Sequence, residues 1–139
     1  TSNKWQLTFT AVRGTSAAST AVSLSEIFLY DANGNAIDIV GASNPGGISA
    51  PGESVTSLFD NDPNTKWLDA NFSANGDSST VILQLAMGRF VLQYDMMTNP
   101  SDLSSARNFD PVSWSFGQVL ATGEFDTISS VSGFDAPNT

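Results

Sequence analysis

The chain has 139 residues, with 14 acidic against 5 basic side chains, a net charge of −9, no histidine and no cysteine. That length suits one domain over 1–139 with its own core. Without thiols or imidazoles there can be no disulfide, no thiolate or imidazole zinc site and no Ser-His-Asp or Cys-His catalysis, and the negative charge disfavours nucleic acid and anionic lipid surfaces.

No apolar run approaches the roughly 20 residues that span a bilayer, so direct membrane insertion is not expected. The chain opens at Thr1-Ser2-Asn3 rather than at methionine. This predicts a processed or excised product, secreted or held in an organelle lumen after loss of a targeting segment.

In chain order, Trp5, Leu7 and Phe9 alternate with polar residues, the period of a half-buried strand. The serine- and threonine-rich segment from Thr15 to Ser25 reads as a hairpin loop entering the next strand. Val22 to Tyr30 is a longer apolar stretch, interrupted by Ser23, Ser25 and Glu26. Turns are predicted at Asp31-Ala-Asn-Gly-Asn35, Asn44-Pro-Gly-Gly47, Asn75-Gly76, Asn99-Pro100 and Asp110-Pro111. Between them lie alternating sets at Val81, Leu83 and Leu85, at Phe90, Leu92, Tyr94 and Met96, and at Val112, Trp114 and Phe116. Short strands, tight turns and no helix-period segment of useful length predict an all-β antiparallel sandwich or barrel.

Two features carry chemistry. In Ser57-Leu-Phe-Asp-Asn-Asp-Pro-Asn-Thr-Lys-Trp67, Asp60, Asp62 and Thr65 bring oxygen-bearing side chains together around the turn formers Asn61, Pro63 and Asn64. A hard cation such as calcium takes carboxylate, hydroxyl and carbonyl oxygens from such a turn. A metal-free Asx turn held by Asp60 and Thr65 is the plainer alternative. The second feature is Glu26, inside Leu24-Ser-Glu-Ile-Phe-Leu29. Either it faces solvent from the outer side of its strand, or it is buried and its charge is compensated.

The turn resembles the signature of galactose-binding-like, F5/8 type C (discoidin) β-sandwiches, which include the family 32 carbohydrate-binding modules. Their Asp-Gly-Asn/Asp-x-x-Thr-x-Trp turn reads here Asp60-Asn61-Asp62-Pro63-Asn64-Thr65-Lys66-Trp67. Ser79 to Leu85 is similar to the strand after the tryptophan, and Asp110-Pro-Val-Ser-Trp114 to a Pro-x-x-Trp strand. The resemblance implies a jelly-roll sandwich with one structural calcium. The implied ligands are the Ser57 carbonyl, the Asp60 carboxylate, the Asp62 carbonyl, and the carbonyl and hydroxyl of Thr65. The family adds a small residue's carbonyl and the next glutamate from its last strand. Here that pair stands near the start, as Ser25-Glu26, after a strand Lys4–Thr10 that looks like the family's penultimate one. The resemblance therefore implies a circular permutation that brings Glu26 to Asp60. Asn61 replaces the usual glycine, and the family's Ser-Asn-Asp-Gly turn gives way to Gly117–Gly123.

The resemblance also implies non-catalytic recognition of a carbohydrate or glycoprotein, since no two acids stand out as a glycosidase pair. A sugar needs an aromatic face and planar or charged polar groups. Arg107, Asn108, Phe109 and Asp110 offer both, unless Arg107 pairs with Asp110 or Asp102 and Phe109 enters the core. Lys66 and Asp69, beside the turn, are a second candidate or an internal ion pair. Trp5, Trp67 and Trp114 read as core. Asn71-Phe-Ser73 is a glycosylation sequon. A different expectation is a structural subunit docked on other protein subunits in a larger extracellular or lumenal assembly.

Overall fold

A computed structural model describes residues 3–14, 21–98 and 108–134. Among them run β1 (Lys4–Val12), β2 (Val22–Leu24), β3 (Glu26–Tyr30), β4 (Ala36–Ile37) and β5 (Ile39–Ser43). A short 3-10 helix, Val55–Phe59, follows, then β6 (Trp67–Asp69), β7 (Ser79–Leu85), β8 (Gln93–Met97), β9 (Pro111–Val119) and β10 (Phe125–Val131). All pairings are antiparallel. One sheet has the order β10-β9-β1-β7-β5, a second β4-β3-β8, and β2 pairs with β6 alone. No helix among the described residues is long and apolar enough to cross a membrane.

The sandwich follows from the period-2 pattern. Trp5, Leu7 and Phe9 of β1 and Val81, Leu83 and Leu85 of β7 all point to one buried face. The three-stranded sheet supplies Ile27, Leu29 and Tyr94 to the same core. Within the five-stranded sheet Trp5 stacks on Phe116 at 5.3 Å, and Tyr94 of the three-stranded sheet reaches across to lie 4.4 Å from Phe116. Tyr94 also takes a hydrogen bond from Trp114 Nε1 at 3.0 Å. Each such aromatic removes ~150–250 Å² from water, worth roughly 4–6 kcal/mol before entropy is counted.

The turn chemistry is local and follows the sequence. Asp31 Oδ1 accepts from the backbone N–H groups of Asn33 and Asn35. Gly46, after Pro45, takes φ +76°, and Gly47 N–H closes on Asn44 O at 3.0 Å. The turn expected at Asn99-Pro100 lies outside the described residues, as does most of the loop from Thr15. Phe90 and Leu92, expected inside with Tyr94 and Met96, are 48% and 62% exposed, and Val91 is buried instead. Strand β8 starts only at Gln93, so the residues before it are not bound to its alternation.

The break between β2 and β3 positions everything that follows. β2 pairs with β6, where Leu24 opposes Trp67, whereas β3 pairs with β8, where Glu26 opposes Met97. The chain thus changes partners at Ser25, whose N–H bonds Met97 O at 2.8 Å. The segment feeding β6, residues 60–66, is thereby delivered over Ser25 and Glu26.

Candidate functional site

Glu26 opens β3 and points inward, only 1% exposed. The alternative of a solvent-facing glutamate is therefore set aside. Opposite it, Asp60 caps the 3-10 helix with φ −89° and ψ 0°. Its Oδ1 accepts from Asp62 N–H at 2.9 Å, and its Oδ2 accepts from the Thr65 hydroxyl. Asn61 sits between them at φ +59°, a left-handed position that Asn tolerates better than most residues. Asp62 O takes the Thr65 N–H at 3.2 Å and lies 3.0 Å from the Thr65 hydroxyl, an alternative acceptor for its single proton, and Asp62 Oδ1 takes Asn64 N–H at 2.9 Å. Two successive Asx turns are thus closed by one threonine.

The start of β3 reaches this turn from the other side. The Ser25 hydroxyl is within hydrogen-bond distance of both Pro63 O, at 2.9 Å, and Thr65 O, at 3.0 Å. Glu26 Oε1 accepts from Asp62 N–H at 3.2 Å. Glu26 Oε2 is fully enclosed and, when the carboxylate is ionised, meets no hydrogen-bond donor among the described residues. Ser57, in the 3-10 helix, is buried and donates its N–H to Ser54 O. Ser25, Glu26, Asp60, Asp62 and Thr65 are therefore brought together, with Ser57 one turn of helix away.

The electrostatics show what this arrangement lacks. Burial pushes the Glu26 carboxyl up to about 7, and the facing Asp60 carboxylate adds to the rise through a shared hydrogen bond and its charge. Desolvation also acts on Asp60, but hydrogen bonds with Glu26, Thr65 and the Asp62 N–H outweigh it and hold that carboxyl below its ordinary value. In the absence of a cation, Glu26 is therefore the member of the pair that keeps its proton up to about pH 7.

Among the described residues no three His, Cys, Asp or Glu side chains are placed to hold a metal. A cation at this turn would depend on two carboxylates supplemented by carbonyl and hydroxyl oxygens. Such an all-oxygen set suits calcium rather than a softer transition metal. An orphaned buried carboxylate oxygen beside a second carboxylate fits a dication, and the serine and threonine hydroxyls can rotate their protons away from it.

The other candidates are placed differently. Arg107 lies outside the described residues. Asn108 and Phe109 are half-buried, and their carbonyls take the N–H groups of Gly14 and Ser23. Asp110 is 4% exposed and lies 3.6 Å from Arg13, a partner the sequence did not suggest. Lys66 pairs with Glu53 at 3.0 Å rather than with Asp69. Asp69 is buried and fully used: Oδ1 accepts from the N–H groups of Ile48 and Asn71, and Oδ2 from the Ser79 hydroxyl at 2.6 Å. In the sequon, Asn71 Nδ2 donates to Gly46 O at 2.7 Å and Phe72 is buried.

A scan against protein-family models found no match for the chain, and searches of curated proteins and of solved structures found none either.

Proposed function

We propose that this protein is a non-catalytic carbohydrate-binding module whose sandwich is clasped by one structural calcium ion. The observation that carries the calcium is Glu26 Oε2, buried without a donor against the Asp60 carboxylate. A divalent cation compensates both charges and replaces the missing hydrogen bond. Glu26 and Asp60 would supply carboxylate oxygens, Thr65 its hydroxyl and carbonyl, and Ser25, Ser57 and Asp62 carbonyls. The ion supplies cross-linking of the turn to the start of β3. The carbohydrate half rests on the resemblance of the turn and strands to the family 32 modules.

The experiment is a glycan array probed with calcium-loaded protein and with chelated protein. Saccharide binding that weakens on chelation supports the reading. Absence of any glycan binding by the calcium-loaded chain overturns it.

A second reading, a structural subunit docked on other proteins, is favoured by Met87 and Leu92. These side chains are 66% and 62% exposed on the segment between β7 and β8. Large apolar groups left in water on one short segment suit a protein interface. A stable complex on pull-down from the native source, lost on Met87→Ser with Leu92→Ser, would favour this reading.

A further inference from the structure

We infer that the saccharide site is a cleft between the start of β1, the β7–β8 segment and the β9–β10 turn, with Phe90 as its stacking platform. The inference rests on the carbohydrate reading above and departs from the loop of Asn108 and Asp110.

The cleft is lined by Asn3, Lys4, Gly88, Phe90, Gln118 and Leu120, among others, and has a volume of about 870 Å³. That is the size of a small-molecule site, enough for one to three sugar rings and small for a protein segment. Phe90 is 48% exposed, as open as Phe134 at 47% and more open than the chain's other aromatic side chains. Its ring meets the buried Trp5 in a T-shaped contact at 5.9 Å, and Trp5 is stacked on Phe116. The ring is therefore anchored on one side to the core and open on the other.

An anchored, half-exposed aromatic loses little freedom on binding, which suits the C–H face of a pyranose. Around it stand the functional groups that hydroxyls need: the amides of Asn3 and Gln118 and the ammonium of Lys4. Gln118 is oriented by its bond to Asp126 at 3.2 Å, and Asn3 O is fixed by Leu85 N–H at 2.8 Å. Gly88 and Gly123 put bare backbone along the wall. At Gly123 a Cβ would meet nothing within 4 Å, so the space there is open.

The cleft and the clasp lie at opposite ends of β1. Lys4 lines the cleft, while Phe9, further along the strand, is 5.7 Å from Trp67 at the end of the clasp turn. The calcium would thus stabilise the sandwich without touching the sugar.

The test is an amide-resolved NMR titration of the calcium-loaded chain with methyl glycosides of galactose, glucose, mannose and galacturonic acid, and with their β-linked trisaccharides. Shifts should centre on Gly88, Phe90, Gln118 and Gly123. Phe90→Ala should weaken the binding at least tenfold, Phe90→Tyr should retain it, and Ala121→Trp, which fills the cleft from an exposed position, should block it. Should Phe90→Ala fail to fold, Ala121→Trp decides. Shifts centred on Asn108 to Asp110, or binding that survives both variants, overturn the inference and leave the carbohydrate reading standing. No shift with any of these sugars overturns both.

Discussion

At the scale of single residues, the decisive contrast is between two buried carboxylates. Asp69 has three donors on its two oxygens, whereas Glu26 has one donor on Oε1 and none on Oε2. Asp69→Ala strands those donors, so unfolding by urea should show a loss of about 2–4 kcal/mol. Glu26 behaves in the opposite sense when calcium is absent. Its carboxyl titrates near 4.5 in the unfolded chain and about 7 in the folded one. Below 4.5 it is neutral in both states and carries no penalty. Between those values the native state holds the extra proton, so stability falls as pH rises. The fall is on the order of 3 kcal/mol by pH 8. Chelated protein should therefore melt higher at pH 5 than at pH 8, and Glu26→Gln should flatten that slope; a wild-type melt that is flat across this range contradicts the assignment. The Asp60–Thr65 turn was legible in the sequence because its bonds span at most five positions. The partners of Asp69 and Lys66 were not, because Ile48, Ser79 and Glu53 are brought in by the tertiary fold.

At the scale of elements, alternation was a reliable guide in β1 and β7, each paired on both sides, but not at Val112 of β9, which is only half-buried beside the buried Pro111. β1 lies between β9 and β7, and Trp5, Leu7 and Phe9 face inward as the pattern predicts. The rule fails before β8, where Phe90 and Leu92 precede the first ladder pair and turn outward. Hydrophobicity alone gave no signal of this, although Val91, out of phase with both, was a visible clue. The β9–β10 hairpin carried a similar hidden constraint. Its register shifts between Thr127 and Ser129, and Gly117 sits so close that a Cβ would lie 2.0 Å from Asp126 O. Because the obstacle is backbone, it cannot swing aside. Gly117→Ala should cost about 1–3 kcal/mol, read as a lowered melting temperature, and should loosen the turn that walls the Phe90 cleft. An alanine variant as stable as wild type would show that β10 is not held this tightly.

Across the whole molecule, the five-stranded and three-stranded sheets are joined by the contact of Tyr94 with Phe116 and by a hydrogen bond from Trp114 Nε1 to the Tyr94 hydroxyl. Tyr94→Phe leaves the stack but removes that acceptor, so it should cost about 1 kcal/mol without altering the fold, a difference measurable by urea denaturation. The sandwich class was legible in strand periods and turn residues. Which end of it recognises a ligand was not, because the cleft is assembled from residues as distant as Lys4, Phe90 and Gln118. The meeting of Glu26 with the turn at Asp60 follows from the change of strand partner at Ser25, and a calcium ion there would tie β3 to the segment entering β6. Calorimetric titration of calcium into chelated wild-type and Glu26→Gln protein at pH 8 tests this clasp most directly. The account predicts one ion per wild-type chain, a raised melting temperature, and loss of both in Glu26→Gln, which should otherwise match or exceed the chelated wild type in stability. No calcium heat in wild type, or an equal response in the variant, would contradict it.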